Sequence, residues 1–342
     1  MSTAAQFLFG YDDGHRLLAS SRELDPETLL RLQGATDAAL SSDCPPLVTG
    51  VALPKAGEYA FCVTWPAPEV PRAGAVWGHV LMVGAGELDV AHAEALLTLP
   101  RRPASREPDL SPYADALDLE APDREVLAQL APREPDRVLL ERVVAATYGS
   151  REPAICVHDD LGAATRAVLA LWGGQWPALR AEFSFRTRQE VRDEASSFDV
   201  TVAAKVRGDG DYPPAADPER TPAWIAALAE DLLSGGGTPL REFLWTFGPG
   251  GSPDRPAVRR LAKLWVRVAA AEPLRVRAYL ERHWPDPSDG AELKFALFGS
   301  AQNRWWRLDE RVRVRTLLDG SGDAWDSEAL ELRHRARALG IG

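Results

Sequence analysis

Hydrophobic and polar positions follow two different periods along this chain, and the change comes near residue 221. Before it, short apolar runs alternate with polar or proline-rich connections, which indicates strands and short helices. After it, apolar residues recur at helical spacing, and Thr221-Pro222 supplies an N-cap followed by a proline suited to the first helical position. The pattern predicts an α+β fold whose C-terminal third is an irregular group of helices.

Residues 6–21 predict the first hairpin. Two apolar runs, Phe7–Phe9 and Leu17–Ala19, flank Asp12-Asp13-Gly14. Asp-Gly between apolar runs is a strong hairpin signal because glycine tolerates a positive φ. The turn brings together an unusual density of titratable and hydrogen-bonding side chains, namely Tyr11, Asp12, Asp13, His15 and Arg16. It is therefore the first candidate for a functional surface.

The same reasoning predicts the other elements. Further strands are expected at 47–53, 59–65, 75–83, 154–157, 179–187 and 198–205. Helices are expected after Asp25-Pro26 and at 89–98, 123–148 with a break near 132–135, 160–172, 239–246, 255–271, 273–283, 289–298, 303–318 and 326–338. Alternation within 75–83 places Trp77, His79 and Leu81 on one face of a central strand.

Three domains follow from this order of elements. We expect an α+β N-terminal domain at 1–112, an α/β middle domain at 113–220 and a helical C-terminal domain at 221–342. The sheets of the first two domains are expected to be antiparallel.

Composition narrows the class of protein. With 45% hydrophobic and 26% charged residues, the chain has the composition of a soluble globular protein. Its N-terminus lacks a basic segment followed by an apolar one, and no apolar run is long enough for a membrane span, so a cytoplasmic location is expected. Three cysteines, Cys44, Cys62 and Cys156, without a Cys-x-x-Cys pair indicate reduced packing residues.

The charge is unevenly distributed. The net charge is -11, yet residues 239–342 hold 18 Lys and Arg against 14 Asp and Glu, a net of +4. A nucleic-acid-binding protein usually concentrates a larger basic excess, so nucleic acid is an unfavoured partner.

Three segments resemble one known family. Phe9 to Ser21, with its Gly-His-Arg-Leu-Leu stretch, resembles the N-terminal domain, type one, of the bacterial GTPase-associated protein family. Thr64 to Pro68 with Pro71 to His79 resembles a second motif of that domain, and Trp176 to Arg188 resembles the middle domain that follows it. The resemblance implies an accessory protein that works beside a dedicated GTPase in a conflict or antiphage-type system. It carries over no catalytic residue.

The candidate site joins the hairpin to the strand that contains His79. If His15 and His79 lie on the same side of the sheet, they form a polar cluster with Tyr11, Asp13 and Arg72 that could bind an anion, a metal or a partner's carboxylate. The alternative is that His15 stabilises its turn and His79 is a hydrogen-bonded core residue. Arg16 and Trp77 complete the candidate partner- or ligand-binding set, in which we assign no catalytic or metal-ligating residue and expect no cofactor.

Two further groups of residues combine charged side chains at suggestive spacings. Asp12-Asp13 with His158-Asp159-Asp160 offers a two-part metal site, against which Asp-Asp after an apolar run is more typical of a helix N-cap. In the C-terminal third, cations recur at i, i+4 and i+8 at Arg259, Lys263 and Arg267. They form either a solvated helix face or a docking stripe for an acidic partner. Trp305, Trp306 and Arg311–Arg315 add residue types that are enriched in interfaces.

Three functions are compatible with these residues. The favoured hypothesis is a non-enzymatic adaptor or regulator that binds a GTPase, encoded nearby, or another component of a conflict system. In that case Arg16 and Arg72 are the first candidates for any cation acting in GTP turnover. The first alternative is a hydrolase or nucleotide-processing enzyme centred on His15, His79 and Asp13. The second is a nucleic-acid sensor that uses the C-terminal arginines.

Overall fold

A computed structural model describes most of the chain. It covers residues 3–298 except 39, 122, 132, 151, 193–197, 208–220, 249–253, 271–272 and 287, together with 334, 335 and 337. The chain forms two compact units, the first made of residues 1–218 and 251–253 and the second of residues 219–250 and 254–342. A mixed sheet with helices in the first unit and helices in the second give the predicted α+β class.

The elements of the first unit alternate between strands and helices. Its strands are β1 (Thr3–Tyr11), β2 (His15–Ser20), β3 (Leu47–Leu53), β4 (Glu58–Pro66), β5 (Val76–Gly84), β6 (Leu117–Asp118), β7 (Ala154–Val157), β8 (Phe185–Arg192) and β9 (Val200–Arg207). Its helices are α1 (Pro26–Thr36), α2 (Val90–Thr98), α3 (Arg124–Leu130), α4 (Arg137–Gly149), α5 (Leu161–Gly174) and α6 (Pro177–Glu182).

The described strands form one mixed sheet. Its order is β2-β1-β5-β4-β3-β8-β9-β7, and β6 pairs with β1. The pairs from β2 to β8 are antiparallel, as expected for the N-terminal part. The predicted hairpins β1–β2 and β3–β4 are both present.

The last part of the sheet differs from the prediction. We expected an antiparallel middle sheet, but β8 pairs with β9 in parallel and β9 pairs with β7 in parallel. The start of β9 is buried through Val200–Ala203, and only Thr201 in this run is polar. Such a run is typical of a parallel strand with partners on both edges and both faces covered.

The predicted strand 179–187 is also partly wrong. Residues Pro177–Glu182 form the helix α6, and the strand begins only at Phe185. Pro177 occupies the first helical turn, where its missing N–H costs nothing, and the following Ala, Leu and Arg residues favour a helix.

Helices cover both faces of the sheet. On one face α1 places Leu32 in a core with Phe7, Phe9 and Val80. On the opposite face the Trp172 ring of α5 makes an edge contact with Phe61, with the ring centroids 5.4 Å apart. Local caps fix these helices: the Asp25 carboxylate accepts hydrogen bonds from two backbone N–H groups at the start of α1.

The second unit is helical throughout its described elements. These are α7 (Ala223–Leu233), α8 (Pro239–Phe247), α9 (Arg255–Ala269), α10 (Pro273–His283) and α11 (Ala291–Phe298). The helix α9 packs against α7, α8 and α10 through buried residues that include Leu261 and Leu264. A buried ion pair of 2.7 Å between Arg241 and Asp231 joins α8 to α7.

Some predictions lie outside the described residues. These are the helix 303–318, Trp305, Trp306, Arg311–Arg315 and all of 326–338 except the helical residues 334, 335 and 337. No helix in the described part of the chain has both the length and the apolar content needed to cross a bilayer.

Candidate functional site

The hairpin tip consists of Asp12, Asp13 and Gly14. Asp13 and Gly14 adopt positive φ angles of 54° and 130°, which explains why an Asp-Gly sequence occupies the turn. The Arg16 guanidinium forms an ion pair with the Asp12 carboxylate, and both side chains are more than half exposed. Arg16 is therefore already neutralised by a neighbour on its own hairpin.

His15 lies at the base of this turn and contacts the end of α1. Its Nε2 is 2.9 Å from the Thr36 hydroxyl, and its ring stacks on Phe9 with centroids 6.1 Å apart. The Gln33 side-chain amide donates a 2.6 Å hydrogen bond to the His15 carbonyl oxygen. Burial lowers the pKa of His15; Asp37 opposes this and Arg72 adds to it. Neutral His15 thus fastens the hairpin to α1.

His79 is enclosed in the core on β5. Its Nδ1 accepts a 2.9 Å hydrogen bond from the Arg101 backbone N–H, so its Nε2 carries the proton and donates to Gln6 Oε1 at 3.0 Å. The Tyr113 ring meets it edge-on, with centroids 5.0 Å apart. Burial lowers the pKa of His79 to about 3, and Arg101 acts in the same direction. His79 has no exposed surface and cannot reach a ligand.

The two histidines lie on opposite faces of the sheet. Phe9 pairs with Gly78, and a Cβ built on Gly78 would lie 2.5 Å from Cβ of Thr36, the hydrogen-bond partner of His15. Because neighbouring residues of a strand face opposite sides, His79 points away from His15. The condition for a polar cluster that contains both histidines, a position on the same side of the sheet, is therefore not met.

Trp77 connects the hairpin to the loop between β4 and β5. The ring packs directly against Gly10, where any Cβ would overlap it, and is 1% exposed. Its Nε1–H donates a 2.6 Å hydrogen bond to Glu69, whose other oxygen accepts one from Arg102 at 2.6 Å. Although burial acts to raise the pKa of Glu69, these hydrogen bonds from Trp77 and Arg102 hold it below its usual range.

Arg72 is held over the hairpin by the same loop. Its guanidinium carbon lies 4.8 Å from the centroid of the Tyr11 ring. Hydrogen bonds within residues 67–75, including Ala67 N–H to the Ala75 carbonyl at 2.9 Å, give the loop a defined shape. Beside Arg72 lies a surface cavity of about 540 Å³, lined by residues 40–42 and most of 66–75. Among the described residues no carboxylate is within ion-pair distance of Arg72.

The structure therefore assembles part of the predicted set. Tyr11, His15, Arg16 and Arg72 surround the hairpin tip together with Asp13, and Trp77 supports them from inside. We name this surface the hairpin-tip surface. His79 does not belong to it.

The two-part metal site is not formed in the part of the chain that the structure describes. No group of three His, Cys, Asp or Glu side chains there is arranged to hold a metal ion. Asp160 caps α5, accepting hydrogen bonds from Gly162 and Ala163, as its position after an apolar run predicted. The three cysteines are buried and free, and burial raises the pKa of Cys62 to about 12. Thiols in that state are poor nucleophiles.

The basic stripe lies in the second unit. Arg259, Lys263 and Arg267 follow one face of α9, and all three are partly buried rather than fully solvated. Trp224 and Tyr279 lie under them.

One known protein family matches the part of the chain that contains the first hairpin. Residues 3–99 match the family described as GTPase-associated protein 1, N-terminal domain type 1. The match includes β1 to β5, α1 and α2, and hence the whole hairpin-tip surface. The resemblance of 176–188 to the middle domain lies outside this match and stays a prediction. No curated protein matches the chain.

Several structurally important residues of the matched segment carry little or no signal in the sequence. Thr36 and Glu69 position His15 and Trp77, and neither stands in a recognisable motif. Gln6 offered a signal, because a polar residue in an apolar strand needs hydrogen-bond partners. Its side-chain amide donates to the carbonyls of Pro112 and Asp115, beyond the matched residues.

Proposed function

We propose that the chain is a non-enzymatic adaptor or regulator that binds a GTPase through the hairpin-tip surface. The observation that carries the proposal is the match of residues 3–99 to a GTPase-associated domain. By resemblance, we place this activity in the cytoplasm of a bacterium, in a conflict or antiphage-type system whose GTPase is encoded nearby.

The chemistry of the hairpin-tip surface suits a protein partner. Tyrosine and arginine are among the residue types that most often dominate interface energetics. Tyr11 and Arg72 occur here as a stacked pair beside an open cavity of about 540 Å³. Because no described carboxylate pairs with Arg72, its charge remains available for an acidic group of the partner.

The side chains beneath this surface are held by contacts on more than one side. Trp77 is fixed between Gly10 and Glu69, and His15 is fixed between Phe9 and Thr36. A preorganised surface loses less conformational entropy on binding. The smaller entropy loss favours a recognition role for the polar residues of the hairpin-tip surface.

The hydrolase alternative needed His15 and His79 to converge in a cleft. Their positions on opposite faces remove that pair as a catalytic centre. Asp13 lies at an exposed turn, and His79 faces the other side of the sheet, so the two cannot form an acid–base pair.

Binding to the GTPase in defined nucleotide states tests the proposal. The immobilised full-length chain is incubated with the GTPase from the neighbouring gene, loaded with GDP, with a non-hydrolysable GTP analogue, or free of nucleotide. We expect capture in at least one state, with a preference between states of about tenfold or more in Kd. Failure to bind in every state would overturn the proposal, and an unrelated small GTPase serves as the negative control.

A further inference from the structure

The helical unit contains a cavity around which α9 and α10 bring several cations. The cavity has a volume of about 510 Å³ and is lined by Ala223, Trp224, Lys263, Val266, Arg267, Ala270 and Arg275. The cations come from two helices, so their grouping depends on packing and is not visible from the spacing along α9 alone.

Aromatic rings hold the cations in place. The Lys263 ammonium lies 5.9 Å from the centroid of the Trp224 ring, and the Arg267 guanidinium carbon lies 4.5 Å from that of Tyr279. Arg267 also donates a 2.8 Å hydrogen bond to the Lys263 carbonyl oxygen. Contacts of this kind bury the apolar stems while the charged groups stay accessible at the cavity wall.

Lys263 and Arg267, two of the cations that line the cavity, are not neutralised by a carboxylate within the described residues. No carboxylate there lies within ion-pair distance of Lys263, Arg267 or Arg282, whereas Arg260 on the same helix pairs with Asp254. Burial lowers the pKa of Lys263, and Arg259, Arg267 and Arg282 lower it further. Like charges at such spacing destabilise one another, and a bound anion would relieve the repulsion.

We propose that this cavity binds the phosphoryl groups of a small polyphosphate, such as a nucleoside diphosphate or triphosphate. Arginine forks and a lysine point charge together are the usual donors to phosphate oxygens. The volume of about 510 Å³ falls within the range of small-molecule sites. None of the residues that line this cavity belongs to the hairpin-tip surface, and the proposal does not depend on GTPase binding.

A small ligand is favoured over a nucleic acid. The cations are gathered around one cavity instead of along an extended groove. The chain also carries a net charge of -11, which opposes the approach of a long polyanion. Nucleic acid is therefore an outcome of the test that would contradict the proposal.

Calorimetric titration of the full-length protein with pyrophosphate, GDP and ATP tests the site. We expect binding in the micromolar range, with Kd increased about tenfold or more in Lys263→Gln and in Arg267→Ala. Arg255→Gln removes one cation from the same helix but lies outside the cavity, and should change Kd by less than about twofold. Circular dichroism at the start of each titration verifies that the variants are folded.

Three results would overturn the proposal. The first is no binding of pyrophosphate or of either nucleotide at millimolar concentration. The second is equal weakening by Arg255→Gln, which would indicate a diffuse charge effect. The third is tighter binding of a single-stranded oligonucleotide or a glutamate-rich peptide than of pyrophosphate, because the ligand class would then be wrong.

Discussion

The Arg72 guanidinium carbon lies 4.8 Å from the centroid of the Tyr11 ring, so a loop between two central strands reaches over the tip of the first hairpin. This contact joins two motifs that are about sixty residues apart in the sequence. Both motifs fall in the segment that matches the GTPase-associated domain. The pair therefore belongs to the part of the chain for which a binding role is proposed.

Arg72→Ala should weaken GTPase binding by about tenfold or more, because an arginine at the centre of an interface commonly contributes over 1 kcal/mol. Arg16→Ala is the matched control, since its guanidinium is already paired with Asp12, and its effect should stay below about threefold. Both side chains are exposed or nearly so, and chemical denaturation should show little change in stability. Calorimetric titration measures the affinities, and equal losses in the two variants would contradict the special role of Arg72.

Two glycine substitutions should have opposite effects on stability. Gly10→Ala places a methyl group into Trp77 and Leu18, and such overpacking costs about 1–3 kcal/mol of unfolding free energy. Gly34 lies within α1, and a Cβ there meets nothing within 4 Å. Gly34→Ala should therefore stabilise the protein by about 0.5–1 kcal/mol through helix propensity. Urea denaturation followed by circular dichroism measures both, and a neutral Gly10→Ala would show that Trp77 can move aside.

Much of the local structure was predictable because short-range chemistry determines it. The Asp-Gly turn, the Asp25 cap of α1 and the alternating apolar faces of β5 all depend on residues within a few positions of each other. These elements lie where the pattern predicted them.

Relationships between distant elements could not be predicted in the same way. That His15 and His79 face opposite sides follows from the pairing of Phe9 with Gly78, a register set across about seventy residues of sequence. The parallel pairings of β8 with β9 and of β9 with β7 are likewise relationships between strands, which the alternation within each strand does not reveal. Alternation within one strand shows which of its residues share a face. It does not show whether residues of two different strands lie on the same face of the sheet.

His79 should make the folded state less stable as the pH falls. Its pKa is lowered by burial to about 3 in the folded protein, from an ordinary value of 6.5. Between these two values the unfolded chain binds more protons than the folded one, so stability is full above the ordinary pKa. It decreases as the pH falls below that value, by up to about 1.4 kcal/mol per pH unit.

Urea denaturation at about pH 7 and about pH 4.5 measures this slope. His79→Gln can still accept the hydrogen bond from the Arg101 N–H but takes up no proton, so its stability should fall less between the two pH values. His158→Gln retains His79 and should follow the wild type. The same pH dependence in His79→Gln and in the wild type would show that other groups cause it.

Arg72 also distinguishes an adaptor from a protein that accelerates GTP hydrolysis. A cation that acts in the transition state must reach phosphate oxygens, and Arg72 has no described carboxylate partner to restrain it, unlike Arg16. Under the adaptor proposal, saturating amounts of the chain change the single-turnover rate of GTP hydrolysis by less than about twofold. An arginine finger, by contrast, would raise that rate by about 10³–10⁵. Arg72→Ala should then shift only the concentration needed for binding. The opposite result is strong acceleration of hydrolysis by the wild type, with loss of that acceleration at saturation in both Arg72→Ala and Arg72→Lys. Arg72 would then be a catalytic residue. Lysine is informative here because it keeps the positive charge but cannot reproduce the planar fork of arginine.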